Sequence, residues 1–275
     1  MLKKEGNSVQ DIKFNKKRVE MLSKAEEIPD NCDGIVYWMS RDQRVQDNWA
    51  LLFAQRLALK NKMSLHVAFC LVPKFLDAAY RHYHFLLKGL EEVEKECQQL
   101  GIEFHLLLGE AREVLPKFIK HHNIGGVVTD FSPLRVPQKW VKDVQKAIPS
   151  NIPMCKVDAH NIVPCWIASD KQEYSAKTIR KKIHDKLSTF LTPFPPVMKH
   201  PHASKYKAEP VDWIGAEKCL QVDHSVGPVD WAVPGAKAGL DTLNTFCLKR
   251  LRNYAAKSND PTVNALSNLS PWLHF

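Results

Sequence analysis

The residues best suited to chemistry lie near the end of the chain, in YAAKSNDPTVNALSNLSPW, which covers residues 254–272. Ser267, Asn268 and Ser270 lie in a short turn, where hydroxyl groups and backbone N–H groups can converge on a phosphate. A helix that begins after Pro271 would add the positive end of its dipole. Ordinary capping of that helix explains the same residues, so the pattern alone leaves both interpretations open.

Two polar loops follow predicted strands, at the edge of a parallel sheet where ligands bind. The loop SRDQRVQDN carries three charged candidates: Arg41, Asp42 and Arg44. The segment TDFSPLR carries three more: Asp130, Ser132 and Arg135. The first set suits an anion or a partner, and equally a local group of surface salt bridges. The second set suits a ligand, and equally the end of a strand and the cap of the next helix.

Histidines and a basic helix are weaker candidates. The pair His121-His122 and the pair formed by His200 and His202 have no cysteine or carboxylate at ligand spacing, so the sequence predicts structural or surface histidines and no metal site. The run KTIRKKIHDK, at 177–186, places basic residues on one helix face. Such a run is typical of a solvated face and also suits phosphate contacts.

Five short apolar runs, alternating with helical patterns, are the elements that must position these residues. They span 34–40, 64–72, 103–109, 125–132 and 154–159. Alternating strands and helices form βαβ units, so the sequence predicts a doubly wound α/β domain over residues 31–160 with a five-stranded parallel sheet. Ligands of such sheets bind beyond the carboxyl ends of the strands. Asp47 is the predicted N-cap of the first helix.

The segments on either side of this domain differ from it in composition. Residues 1–30 are polar and are predicted to form a disordered basic leader, whose run Lys16-Lys17-Arg18 also fits a short nuclear-import signal. Residues 161–235 are rich in proline and are predicted to be an interdomain linker that wraps a surface. The large side chains of Trp213 and Trp231 favour docking of that linker.

One amphipathic helix is predicted over residues 236–257, ahead of the break at Asn259-Asp260-Pro261. Residues at steps of three and four form its apolar face. They are Leu240, Leu243, Cys247, Leu251 and Tyr254.

The bulk composition restricts the class of protein. The chain has 275 residues, is 44% hydrophobic and carries a formal net charge of +9, which favours an acidic partner such as nucleic acid or an anionic cofactor. Its seven cysteines include no CxxC pair, which indicates reduced thiols in an intracellular protein rather than a disulfide framework or a zinc site. No apolar run is long enough to cross a bilayer, and no secretory leader is visible.

Five stretches together resemble the DNA photolyases, and among them the class II cyclobutane pyrimidine dimer photolyases. They are VYWMSRDQRVQDNWALLFAQRLA (36–58), VVTDFSPLR (127–135), VDAHNIVPCW (157–166), EYSAKTIRKKI (173–183) and RLRNYAAKSNDPTVNALSNLSPWLHF (250–275). The resemblance covers residues 32–275, and its first and last strings are long and distinctive.

The resemblance implies a light-dependent DNA-repair enzyme, a deoxyribodipyrimidine photo-lyase that splits cyclobutane pyrimidine dimers by electron transfer from excited reduced FAD. The α/β domain would hold an antenna chromophore, often a deazaflavin or a folate. Residues 236–275 would begin an all-helical FAD-binding domain. The partner would be UV-damaged DNA with a flipped-out dimer, and the protein would be a nuclear monomer without a membrane partner.

Position in the matched motifs implies six residues for FAD binding: Tyr254, Leu266, Ser267, Asn268, Leu269 and Ser270. Leu266 stands where the class I form has threonine, which removes one hydroxyl contact. Ser258 occupies the place of an arginine that contacts DNA, and the neighbouring Lys257 would replace that charge in part. Catalytic residues are expected outside these 275 residues, and no metal ligand is expected.

The family continues beyond LSPWLHF into a larger helical domain. The expectation for these 275 residues is therefore a folded α/β domain that neither holds FAD nor splits dimers. Two other interpretations stay open. One is a cryptochrome-like chromophore-binding module without repair activity, and the other is an inactive truncated product whose exposed apolar helix face drives aggregation.

Overall fold

A six-stranded, mostly parallel sheet with helices on both faces forms the centre of the protein, in a computed structural model that describes residues 14–274. The strands are β1 Val19–Met21, β2 Gly34–Met39, β3 Ser64–Leu71, β4 Glu103–Leu108, β5 Ile124–Asp130 and β6 Met154–Val157. Their order is β1-β6-β5-β2-β3-β4, and only β1 runs antiparallel to its neighbour. The predicted α/β class is confirmed, and the sheet has one strand more than predicted.

Eleven helices connect and flank these strands within residues 14–274. They are α1 Trp49–Lys60, α2 Tyr80–Gln99, α3 Ala111–His121, α4 Arg135–Ala147, α5 Cys165–Ala168, α6 Ala176–His184, α7 Leu187–Phe190, α8 Trp213–Lys218, α9 Ala236–Lys249, α10 Leu251–Lys257 and α11 Ser270–His274. A short 3-10 helix, Lys16–Arg18, precedes β1.

The central strand β2 shows how the sequence builds two cores. All six of its residues are buried. Tyr37 and Met39 join the core beneath α1 and α2, whereas Val36 and Trp38 join the core beneath α3 and α4. This alternation is the period of two of a β-strand, and it requires that both faces of the sheet be covered.

Helix α1 begins one residue later than the sequence predicts. The side chain of Asn48, not Asp47, accepts hydrogen bonds from the N–H groups of Ala50 and Leu51, at 3.0 and 3.1 Å. Asp47 lies outside the helix in the left-handed region, with φ of +54°. Asn48 is the better cap because its buried amide also donates to the carbonyl of Asp42, 2.9 Å away, so a single side chain fixes both the helix and the loop before it.

The predicted disordered leader is wrong for residues 14–30, while residues 1–13 lie outside the described part of the chain. β1 pairs with β6, and Phe14 packs against Trp49 and Phe53. Arg18 is buried, so Lys16-Lys17-Arg18 is not a fully solvated basic run. The local composition hid this because the partners of the segment are far away in the sequence.

The buried guanidinium of Arg18 binds four backbone carbonyls, three in the loop after β6 and one at the end of α7. It donates hydrogen bonds to the carbonyl oxygens of Asp158, Asn161, Ile162 and Phe190, at distances from 2.7 to 3.1 Å. It also lies over the ring of Trp49, 5.1 Å from its centroid. Burial lowers the pKa of Arg18, and the charge of Asp158 opposes that shift. The side chain therefore fastens the start of the chain to the residues that follow β6.

Much of the proline-rich segment is docked on the α/β domain. Gln55 donates to the carbonyl of Met198 at 2.7 Å, and the indole N–H of Trp213 donates to Glu94 at 2.8 Å. The docking predicted from Trp213 is thus confirmed. The same prediction is wrong for Trp231, which is 64% exposed.

The single helix predicted over 236–257 is divided at Arg250, whose φ of −120° interrupts the helix between α9 and α10. The predicted apolar face is exposed: Leu240 by 54%, Leu243 by 38% and Leu251 by 51%. All seven cysteines are free. Across residues 14–274, every helix is too short or too polar to pass through a bilayer.

Replacement of Arg18 tests its fastening role. Arg18→Ala is expected to lower the free energy of unfolding by about 3 kcal/mol, because four carbonyls, two of them in buried hydrogen bonds, lose a charged donor. Arg18→Lys should recover only part of this loss, since one ammonium group cannot reach four acceptors. Urea unfolding measures both values. Lys17→Ala, at an exposed neighbour, is the control, and an Arg18→Ala midpoint equal to that control would contradict the role.

Candidate functional site

A cavity of about 310 Å³ opens beyond the carboxyl ends of β2, β3 and β5. From β2 the chain adds β3 and β4 on one side and later β5 and β6 on the other, so the strand order reverses beside β2. Open α/β sheets bind ligands at this type of position because the flanking loops separate there. The volume lies at the lower end of the range for small-molecule sites.

The lining of the cavity combines apolar and polar residues. The apolar residues include Phe69, Leu71, Phe75, Leu86 and Trp140. The polar residues include Ser40, Arg41, Ser132 and His160. Leu273 of α11 lies along the same cavity. The lining suits a flat, mainly apolar ligand that has a few hydrogen-bonding or anionic groups.

The carboxylate of Asp130, at the end of β5, shapes the mouth of this cavity. It accepts hydrogen bonds from the backbone N–H groups of Ser40 and Arg41, both at 2.8 Å, and from the hydroxyl of Tyr37 at 2.7 Å. Asp130 is 2% exposed. It therefore fixes the loop that follows β2 rather than contacting a ligand, and of its two predicted roles the ending of the strand is the one observed.

Burial raises the pKa of Asp130 to about 6, and the nearby charge of Asp42 contributes to the shift. Burial of the Tyr37 hydroxyl raises the pKa of Tyr37 well above its usual range, and the negative charge of Asp130 is the second cause of this shift. Burial also opposes ionisation of Asp42, but a hydrogen bond from His160 and the charge of Arg44 lower its pKa on balance. Asp42 therefore ionises at a lower pH than Asp130.

The remaining loop candidates have mainly structural roles. Arg44 forms a 2.8 Å salt bridge with Asp42, which confirms the local salt-bridge interpretation for that pair. The hydroxyl of Ser132 accepts from the N–H of Leu134 at 3.3 Å, ahead of α4. Arg135 is exposed and is not part of the cavity lining. Arg41 alone of the first set lines the cavity.

Of the six residues implied for FAD binding, Tyr254 lies on α10, Leu266 to Leu269 lie in the loop between α10 and α11, and Ser270 begins α11. Tyr254 is 43% exposed and Leu266 is 48% exposed. Asn268 adopts a left-handed conformation, with φ of +59°, immediately before Leu269 and Ser270. This bend leads the chain into α11, but α11 has only five residues and adds little dipole.

Arg250 adds a cation that the motif comparison did not include. Its Nη2 donates to the carbonyl of Ser267 over 3.5 Å, and its buried Nε has no hydrogen-bond partner among the described residues. A guanidinium beside hydroxyl and amide groups suits a phosphate ligand. The residues present therefore fit the phosphate end of FAD, whereas Tyr254 and Leu266 are too exposed to enclose a flavin ring by themselves.

The two residues implied for DNA contact lie at the end of α10. Lys257 is exposed, and the N–H of Ser258 donates to the carbonyl of Tyr254 at 2.9 Å. A second basic surface is the exposed face of α6, formed by Lys177, Arg180, Lys181 and His184. Lys181 pairs with Asp185, so its charge is partly neutralised.

Comparison with known proteins gives the same assignment as these features. A sequence model of the family described as DNA photolyase matches residues 35–200. The deoxyribodipyrimidine photo-lyase of Potorous tridactylus is 59% identical over 98% of this chain, and that of Arabidopsis thaliana is 41% identical over 94%. The matches cover 50% and 54% of those relatives, so the chain spans about half their length.

Solved structures agree on the fold. A class III photolyase from Agrobacterium tumefaciens superposes with a TM-score of 0.70, covering 92% of this chain and 52% of that protein at 19% identity. A Synechocystis cryptochrome gives 0.65, covering 90% of this chain and 53% of that protein at 17% identity. The chain thus has the fold of the corresponding parts of these two proteins. Because the family match extends over more than half of its residues, the chain belongs to the DNA photolyase family.

Replacement of Asp130 tests the hydrogen bonds that its carboxylate accepts at the cavity mouth. Asp130→Ala removes the acceptor of three backbone N–H groups and the nearer acceptor of the Tyr37 hydroxyl, so the free energy of unfolding should fall by about 3 kcal/mol. Asp130→Asn keeps an acceptor for the amides and should cost about 1 kcal/mol. Chemical denaturation at pH 7 measures both unfolding free energies. Equal losses for the two variants would contradict a stabilising role of these hydrogen bonds.

The pH dependence of stability isolates the charge of Asp130. Because its folded-state pKa, about 6, exceeds the unfolded value of about 3.9, the contribution of Asp130 to stability should fall as the pH rises from 4 to 6. Asp130→Asn cannot undergo this titration. The difference in unfolding free energy between the two proteins should therefore shift in favour of the variant by roughly 3 kcal/mol across this window. A constant difference would contradict the raised pKa.

Proposed function

We propose that this chain is part of a class II photolyase, which repairs cyclobutane pyrimidine dimers in nuclear DNA with light energy. Family membership supports the reaction class. The observation that supports the cofactor most directly is the Arg250 guanidinium, with its unpartnered Nε, beside the loop that the class II resemblance assigns to FAD phosphates. The activity is that of the whole protein, of which this chain provides the α/β domain and the phosphate loop.

Each part of the loop has a role in this proposal. Arg250 and the hydroxyls of Ser267 and Ser270 bind the phosphates, and the backbone N–H groups that follow Asn268 complete the contact. Tyr254 packs beside them. When bound, FAD supplies the light-driven electron that opens the dimer.

The cavity at the strand-order reversal is the proposed site of the antenna chromophore, a deazaflavin or a folate. Trp140 and Phe69 offer flat apolar surfaces to a conjugated ring. Arg41 and His160 are polar residues of the same lining and suit an anionic or carbonyl group.

DNA is the proposed partner of the basic surfaces. Lys257 lies next to the position where the family has an arginine, and the exposed cations of α6 extend the positive charge. Phosphate contacts of this kind position the duplex without reading its sequence. The overall charge of +9 supports the same partner.

Nucleotide binding tests the phosphate loop. ADP carries the adenosine and diphosphate parts of FAD, and calorimetry with the purified 275-residue chain should detect binding that Arg250→Gln weakens about tenfold. Arg252→Gln, which removes an exposed charge nearby, should change the affinity less than about twofold. Equal losses in the two variants would contradict a specific contact.

Comparison of FAD with ADP tests how much of the flavin site this chain provides. Since Tyr254 and Leu266 are exposed, the flavin half should add little, and the FAD affinity should lie within about tenfold of the ADP affinity. Stoichiometric, tightly bound FAD in the purified chain would contradict this expectation.

Repair is tested on the protein as its cells make it, isolated with an antibody against residues 31–160. Blue light should make this material remove dimers from a dimer-containing oligonucleotide, whereas the dark control should not. The cryptochrome-like alternative predicts a bound flavin with no loss of dimers. That result would contradict the repair function and leave the family assignment intact.

A further inference from the structure

Three histidines that are distant in the sequence converge at one edge of the sheet. His66 lies on β3, His105 lies on the adjacent strand β4, and His122 follows α3, which packs over the same face. Each offers a ring nitrogen, and these nitrogens all lie within 4.8 Å of one another. His66 is fully buried, and the other two are half-buried.

The hydrogen bonds around His66 determine which of its nitrogens carries the proton. The Ser64 hydroxyl lies 3.0 Å from Nε2 of His66 and donates its single proton to the carbonyl of Asp33 at 2.8 Å. With the Ser64 proton on that hydrogen bond, Ser64 accepts from His66, which places the proton on Nε2 and the lone pair on Nδ1. That lone pair points at Nε2 of His105, which is 3.0 Å away.

His122 completes the cluster with an unsatisfied group. Its Nδ1 is buried and has no hydrogen-bond partner within the described residues. An unpaired buried ring nitrogen costs free energy, and native proteins rarely leave one without a partner or a bound ion. Packing alone therefore explains why the three rings are in contact, but it does not explain why Nδ1 of His122 is buried without a hydrogen-bond partner.

All three imidazoles favour the neutral state that metal binding requires. Burial lowers the pKa of His66 to about 3, and the nearby His122 and His200 act in the same direction. Burial and the charge of His66 likewise lower the pKa of His105 to about 3. For His122 the shift is also downward, through burial first and then through His121.

We propose that His66, His105 and His122 bind one divalent transition-metal ion of the zinc type, which fastens β4 and the end of α3 to β3. Neutral imidazoles suit Zn²⁺, and three of them leave one position for water. Zinc ligands at tetrahedral angles have nitrogens about 3.3 Å apart, so the His66–His105 pair needs only a small expansion. His122 moves inward by a larger amount.

The surroundings of the cluster provide the outer contacts that metal-bound histidines need. The Nε2–H of His66 donates to Ser64, which fixes the orientation of the ring. In the metal-free protein His105 donates from Nε2 to His66, and metal binding moves that proton to Nδ1 of His105. His105 and His122 line an open groove beside Tyr206, which gives an ion and its water access from solvent.

Metal titration of the purified 275-residue chain, without a histidine tag and after chelator treatment, tests the site. Calorimetry should show one Zn²⁺ per chain, and Co²⁺ should give the visible absorption of a tetrahedral site. His105→Gln and His122→Gln should each weaken Zn²⁺ binding at least tenfold. His121→Gln changes the exposed neighbour of His122 and should alter binding by less than about twofold.

Thermal unfolding keeps the test decisive if a variant folds poorly. Zn²⁺ should raise the Tm of the wild-type protein and of His121→Gln, since an ion that binds only the folded state stabilises it. Circular dichroism without metal checks the fold of each variant. The proposal is overturned if Zn²⁺ leaves the wild-type Tm unchanged, or if His122→Gln binds Zn²⁺ as tightly as the wild-type protein.

Discussion

The carboxylate of Asp130 is the contact on which the carboxyl edge of the sheet depends. Asp130 is the last residue of β5, and its carboxylate accepts hydrogen bonds from the backbone N–H groups of Ser40 and Arg41, the first two residues after β2. One side chain therefore connects the ends of the two central strands. A second buried side chain, Asn48, ties the same loop to the start of α1. The loop cannot move without exposing unpaired buried groups, and the cavity beside it consequently has a fixed mouth.

The backbone N–H and C=O groups of the proline-rich segment, residues 161–235, have no neighbouring strand to pair with. Side chains of the α/β domain provide their hydrogen-bond partners instead. Gln55 both donates to the carbonyl and accepts from the N–H of Met198, and Glu103 accepts from the N–H of Ala208 at 2.8 Å. Glu94 accepts from Val211 in the same way. Polar groups buried under a loop are tolerated only when they are paired in this manner.

The sequence predicted what depends on short-range periodicity. The alternation in β2 and the helix-to-strand order are local, so the α/β class and the position of the cavity loops followed from them. The roles of Arg18 and His66 were not predictable, because their partners lie far away: Phe190 for Arg18 and His122 for His66. Both side chains are buried in the structure, and the spacing of residues along the sequence does not predict that burial.

The implied phosphate loop shows how a site residue can depend on packing elsewhere. Its exit, α11, is fixed by Trp272, which donates to the carbonyl of Val233 at 2.9 Å and packs against Phe85 of α2. The same ring covers Gly239 of α9, where a Cβ would lie 3.0 Å from it. A side chain at that position would require the Trp272 ring to shift by a few tenths of an ångström. The end of the loop is therefore held by contacts of Trp272 with residues outside the motif, which a motif match alone cannot show.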